Sequence, residues 1–476
     1  MSDKPIKLLF ITYTHSNGGG AEKVLTNLVN NLSKDKYDIT IQEIERFNVK
    51  KENLNDYIKF KRFPLKHYKK IMKWFSEINY YFLYTNPKVL KALFKWDGFD
   101  IVIAWNYQLP SFALMGFEAE YTISHFHGAV DDLDIKKYPL NKQKFLRQKE
   151  VWEKVKHITT ISEYSKESAI RLYPDIKNKI EIVYNGTDID EINKRSFEYS
   201  FEEPIDRHCI NLISVARLDD NKNISLILKA LKILKEEKID FKYFIIGNGE
   251  DKGKLERETR NYSLCDSVVF LGYVDNPIPI IKSCDILCMS SFSEGWPTVV
   301  TEAMALRKPF VSTPVAGAKD ELCDNEKCGL IADYDPEDYA NKLKFLINHP
   351  DLQKRMGEEG FKNIQNYTID RSVAQFERIL DNYSQGRRQE LSKFTRIYYC
   401  FIYVLASSLN IPQIYKNISY INEHNNGYAI YKTKYELFAT VYRCIVLIVV
   451  CVLIPIMIVP CAFFSLIYCI ILGLDK

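Results

Sequence analysis

Two glutamates, Glu294 and Glu302, flank a Gly-Trp-Pro turn in SFSEGWPTVVTEAMA, residues 291–305. Carboxylates that work as acid and base on a glycosidic bond must face that bond as a pair. Ile286–Ser290 predicts a strand, and Pro297 stands at the first turn of a helix from about Thr298, where proline is tolerated. Glu294 then lies in a loop and Glu302 in the second helical turn, so they are not a matched pair. The spacing instead suits one carboxylate for sugar hydroxyls and one for a ribose. Gly295, Trp296 and Thr298 form the turn and helix start between them, where amide groups and the helix dipole favour phosphate. That is a site for a nucleotide sugar.

Other residues point the same way with less force. In SVARLDDNKN a strand delivers Arg217 to its end, and Lys222 follows one loop later. The guanidinium fork and the ammonium point charge can converge on a diphosphate; two surface cations on a loop is the plainer reading. Ser16–Glu22, with Gly19 in its glycine run, follows the first strand and opens a helix. Its glycines would let backbone amides approach a phosphate, but the Gly-x-Gly-x-x-Gly spacing is absent and a simple strand-to-helix turn explains it as well. His125-Phe-His127-Gly128 ends a strand, so His127 either points into a cleft or is a satisfied structural histidine.

The elements that must position these residues are short apolar runs separated by helix-length segments. Leu8–Thr12, Asp100–Trp105, Tyr121–His127, His157–Ile161 and Glu181–Tyr184 form one set of predicted strands. Cys209–Ala216, Tyr243–Gly247, Val268–Leu271, Ile286–Ser290 and Pro309–Ser312 form a second. This alternation predicts parallel sheets built from βαβ units, hence an α/β protein of two doubly wound, Rossmann-like domains facing across a cleft. The expected division is residues 1–190, 205–385 and a tail from 391 to 476. Ligands on such sheets bind beyond the carboxyl ends of the strands, where the residues above fall.

The chain has 476 residues, enough for two or three domains, and a net charge of only +4, which argues against a nucleic-acid binder. Residues 1–6 are polar and lead straight into the first predicted strand, so a secretory signal is not expected. The eleven cysteines lack metal or redox spacing and are expected to be reduced and mostly buried. Residues 444–474 run 31 positions without a charge, interrupted by Pro455 and Pro460. As a helix that run would measure about 46 Å, against a hydrocarbon thickness of about 30 Å. It predicts a kinked membrane span or a re-entrant hairpin, and so attachment to a membrane. The stretch KFKRFPLKHYKKIMKWF, residues 59–75, interleaves basic and aromatic side chains and is either a second membrane-facing surface or a solvated helix face.

In this order along residues 5–385, GGGAE, YNGTD, SVARLDDNKN, IIGNGE, FLGYVDN and SFSEGWPTVVTEAMALRKPFVSTPVAG resemble the motifs of family-4 retaining glycosyltransferases of the GT-B fold. Arg307 departs from the resemblance, standing where the family usually has glycine, and residues 57–96 have no counterpart in it. The resemblance implies that Arg217 and Lys222 hold the donor diphosphate and Glu302 the ribose. It implies that Glu294 contacts the donor sugar's hydroxyls, His127 its far edge, Gly19 the diphosphate, and Gly247 and Val274 the base. The implied reaction is front-face and retaining, with the leaving diphosphate taking the acceptor's proton. It calls for no cofactor and no divalent metal, although Asp132-Leu-Asp134 spells Asp-x-Asp.

The expected function is transfer of a hexose from a nucleotide sugar, UDP-linked, to a lipid-linked or polysaccharide acceptor on the cytoplasmic face of a membrane. A nucleotide-sugar epimerase of the same fold and a non-catalytic sugar-nucleotide-binding subunit are the alternatives. The epimerase would need its own acid and base carboxylates. The binding subunit would have no reason to keep the whole polar set.

Overall fold

The computed structural model describes residues 4–13, 20–44, 54–61, 82–83, 86–130, 139–201, 205, 208–383 and 392–408. Two parallel sheets organise them. The first contains β1 (Ile6–Thr12), β2 (Tyr37–Glu43), β3 (Lys59–Lys61), β4 (Ile101–Trp105), β5 (Thr122–His125), β6 (His157–Thr160) and β7 (Ile180–Ile182), in spatial order 3-2-1-4-5-6-7. The second contains β8 (Ile210–Val215), β9 (Phe241–Ile246), β10 (Val268–Gly272), β11 (Ile286–Met289), β12 (Phe310–Ser312) and β13 (Gly329–Ile331), in order 10-9-8-11-12-13. Each order reverses direction once, beside β1/β4 and beside β8/β11. These are the crevices where doubly wound sheets bind ligands.

The central strands are apolar without alternation because helices cover both faces; β4 reads Ile-Val-Ile-Ala-Trp and is buried throughout. β2 is different. Its sequence, YDITIQE, alternates like a half-solvated strand, yet Thr40, Gln42 and Glu43 are all buried. The expected strands omitted β2, β3 and β13 for this reason and because the last two span only three residues each.

The second domain does not keep its last helix. Ile369–Asp381 crosses back and packs on the helix Gly20–Asn31 of the first domain, with Phe376 stacked on Phe10 at 6.1 Å and set edge-on to Trp105 at 6.3 Å. This helix falls inside the expected range 205–385 yet adds its apolar face to the first core. The interdomain segment is pinned to this crossover: the Thr187 amide donates to the Tyr367 carbonyl at 2.8 Å, and the Ile369 amide to the Thr187 carbonyl at 3.1 Å. A Cβ on Gly186 would lie 2.6 Å from Ile369 Cα, so the two strands of the hinge touch backbone to backbone.

The expected tail also begins on the first domain. Lys393–Ser408 is a helix packed against the helix Pro87–Leu93. Among the described residues no helix is long and apolar enough to cross a membrane. The run 444–474, Asp132-Leu-Asp134 and most of the 59–75 stretch lie outside the described residues. Of the seven described cysteines five are buried.

Candidate active site

Arg217 and Lys222 lie in the loop after β8, and Glu294, Gly295, Trp296 and Thr298 lie between β11 and the helix Thr298–Ala305. β8 and β11 are neighbours at the reversal point, so the two loops emerge side by side. They are also stitched together. Ser290 Oγ sits 2.9 Å from the carbonyl oxygens of both Lys222 and Asn223. The Phe292 amide donates to the Asn221 carbonyl at 2.8 Å, and Asn221 Nδ2 returns to the Ser293 carbonyl at 3.0 Å. Asn223 turns the loop in the left-handed region, at φ 45°, and the helix Ile224–Glu236 starts behind it.

This lacing brings Lys222 Nζ within 2.5 Å of Glu294 Oε1. Both side chains are mostly covered, so an ammonium and a carboxylate share one partly desolvated spot. Arg217 is not part of that contact. Its guanidinium is exposed and lies 3.0 Å from Asp219 Oδ2. Glu302, one turn into its helix, pairs instead with Lys23 of the first domain at 3.0 Å. Lys23 had no place in the sequence reading; the only signal for it was its position in the first turns of the helix that follows the glycine run.

Gly247 is where the β9 loop meets the β8 loop. Its φ is +138°, and a Cβ there would fall 1.8 Å from the Ala216 carbonyl oxygen, next to Arg217. No side chain fits that approach. Val274, after β10, is half-buried in the apolar cluster around Val300. Trp296 is buried, its ring against Tyr184 at 5.6 Å and Tyr367 at 5.1 Å. Gly19 lies outside the described residues.

The first domain presents His127 and Gly128 opposite this loop. A Cβ on Gly295 would lie 2.8 Å from both Gly128 Cα and Gly128 N, so the domains meet backbone to backbone at the Glu294 turn. Gly128 has φ +96°, which turns the chain directly after His127. His125 stacks on Trp105 at 4.0 Å, and His127 sets its ring edge-on to both Trp105 and His125. Burial pushes the His127 imidazole down to about 4, and His125 well below its usual range. Both rings are neutral at pH 7, able to donate or accept one hydrogen bond without carrying charge. Nε2 of each is buried with no partner among the described residues.

The site therefore offers a lysine–carboxylate pair, an exposed arginine, a helix N-terminus and a neutral histidine around one interdomain seam. Arg307 adds a detail. It adopts φ +57° directly after the helix Thr298–Ala305. That conformation explains why a glycine is expected there. Here the arginine is held by Glu358 at 3.2 Å and by the Phe361 ring at 3.7 Å.

Residues 18–191 match the family described as Glycosyltransferase Family 4, and residues 196–363 match Glycosyl transferases group 1. An uncharacterized glycosyltransferase of Methanocaldococcus jannaschii is 27% identical over 403 residues, covering 79% of this chain and 99% of the relative. A Campylobacter jejuni protein named N-acetylgalactosamine-N,N'-diacetylbacillosaminyl-diphospho-undecaprenol 4-alpha-N-acetylgalactosaminyltransferase is 24% identical over 352 residues, covering 71% of this chain and 89% of that one. Among solved structures, HepE of Anabaena in complex with UDP superposes with a TM-score of 0.63 at 16% identity, over 79% of this chain and 100% of that chain. Successive matches to Glycosyltransferase Family 4 and to Glycosyl transferases group 1, each over its own parallel sheet, together with the shared fold of the solved structures, support a glycosyltransferase of the GT-B fold.

Proposed function

We propose that the protein is a membrane-attached, retaining hexosyltransferase that uses a UDP-sugar and extends a lipid-linked or polysaccharide acceptor at the cytoplasmic face. The observation that carries this reading is the lacing of the Arg217–Lys222 loop to the Glu294–Thr298 loop at the reversal point of the second sheet. In this reading the donor diphosphate enters between Arg217, Lys222 and the helix N-terminus. Glu302 accepts from the ribose hydroxyls, and Glu294 from the sugar. The acceptor hydroxyl attacks the anomeric carbon on the face the diphosphate leaves. The new carbon–oxygen bond forms as the old one breaks, and the acceptor's proton passes to the departing phosphate oxygen. The two cations stabilise the charge growing on that oxygen.

The acceptor class draws on the Campylobacter jejuni relative, whose name places its own acceptor on diphospho-undecaprenol. The attachment draws on the uncharged run 444–474. Incubating the full chain in native membranes with radiolabelled nucleotide sugars, then extracting lipid, tests the proposal. It predicts label in the lipid fraction with a UDP-hexose. Release of free sugar or an isomerised donor, with no labelled lipid or glycan, would contradict it. Because Arg217 and Lys222 can meet the leaving charge, turnover should persist in EDTA. Complete loss of turnover restored by manganese or magnesium would overturn that part.

A further inference from the structure

The helix Glu163–Leu172 of the first domain begins against the second. Ile161, directly after β6, is buried in the second domain's apolar cluster around Trp296 and Val300. The Glu163 amide then crosses the seam and donates to Glu321 Oε1 at 2.8 Å. Glu321 is only 8% exposed, and its Oε2 is buried with no partner among the described residues. The amide it accepts is one that the helix itself cannot satisfy. The carboxylate also lies at the positive end of that helix's dipole.

Both sides of this contact are held. Glu321 lies in the short turn Ala318–Leu322, where the Glu321 and Leu322 carbonyls accept from Asn363 Nδ2 at 2.9 and 3.2 Å. The Tyr367 ring, 5.1 Å from that of Trp296, ties this region to the residue after Gly295. In the first domain, Ser162 caps the helix by accepting from the Ser165 amide at 3.2 Å. Further along, Ser168 Oγ accepts from the Val130 amide at 3.1 Å. Val130 belongs to the same loop as His127 and Gly128. The path from Glu321 through the helix to Val130 therefore returns to the seam where Gly128 meets Gly295.

We propose that Glu321 is a positioning residue: through the helix Glu163–Leu172 it sets the His127 loop of the first domain against the Glu294 turn of the second. It acts through those two loops and not on the substrate. This rests on the donor-sugar roles proposed above for His127 and Glu294. A close-packed helix transmits displacement along its length, so loss of the Glu163 bond shifts Ser168 and Val130 with it.

Hydrogen exchange of the full chain reads the coupling independently of activity. Glu321→Ala should speed exchange about fivefold or more in the segments holding Glu163 and Val130, while β8 and β11 stay protected. Faster exchange at Glu163 alone, or at neither, would overturn the proposal. Turnover in native membranes reads the consequence. Glu321→Ala should lose about ten- to hundredfold at saturating donor, as a small misplacement of positioned groups does. Bare UDP should still bind within about twofold of wild type, because its proposed contacts lie in the second domain. Glu321→Gln keeps an acceptor oxygen and should recover most of the turnover. Ser168→Ala cuts the same path, so combining it with Glu321→Ala should cost less than the product of the single losses. UDP affinity falling in step with turnover, no recovery by glutamine, or fully multiplicative losses would each overturn the proposal. Coupled exchange in a protein whose wild type turns over no nucleotide sugar would uphold the positioning and contradict the proposed function instead.

Discussion

Lys23 Nζ of the first domain lies 3.0 Å from Glu302 Oε1 of the second, an ion pair that spans the cleft. The lysine is 47% exposed and the carboxylate 12%. A pair with one end in water is worth about 0.2–1 kcal/mol. If Glu302 receives the donor's ribose, Lys23 is a weak competitor for its carboxylate. Lys23→Met should then tighten binding of bare UDP by no more than about fivefold. Glu302→Ala should weaken it by about tenfold or more. Titration calorimetry reads both. Equal losses in the two variants would mean that Lys23 itself holds the nucleotide.

The seam between Gly128 and Gly295 has no room for a side chain. A Cβ on Gly295 would sit 2.8 Å from Gly128 Cα and N and 3.0 Å from Ile161 Cδ1. Overpacking of this kind costs about 1–3 kcal/mol. Gly295→Ala should lower stability to urea by that amount and reduce turnover together, because backbone rather than a flexible side chain must yield. Stability and turnover both unchanged would show that the domains do not meet there in solution.

The buried imidazoles make stability depend on acid. His127 is held to about 4 by burial, against an ordinary 6.5. Between those values the unfolded chain binds a proton that the folded chain does not. Stability is therefore fully present above about pH 6.5 and falls as the pH drops toward about 4. His125 is shifted in the same direction, whereas Glu321, raised by burial, works against it. His127→Gln should remove only its own share, giving a shallower loss of melting temperature over that window. An identical slope in both proteins would show that His127 is not buried neutral.

Much of this architecture was legible in the sequence, and the failures have physical causes. Largely apolar runs announced β1, β4, β8, β9 and β11, because strands covered on both faces need no alternation. β2 hid because its buried Thr40, Gln42 and Glu43 read as solvent-facing. Glu294 and Lys222 were each legible from chain position, but their contact was not: it depends on Ser290 and Asn221, which are unremarkable in sequence. The return of Phe376 to the first domain was equally hidden, since its helix has the periodicity of any amphipathic helix and does not say which core it serves. The packing of Trp296 between Tyr184 and Tyr367 was hidden too, because it depends on neighbours distant in the chain.

The clamp on the leaving diphosphate is the centre of the account, and turnover of saturating donor by Arg217→Ala and Lys222→Ala measures it most directly. Loss of one group that stabilises transition-state charge costs about 3–4 kcal/mol, a hundred- to thousandfold in rate. Each variant should fall by that factor while its circular dichroism and melting temperature stay close to wild type. Folded variants that both retain near wild-type turnover would contradict the assignment of these two cations to the donor phosphates, and with it the proposed mechanism.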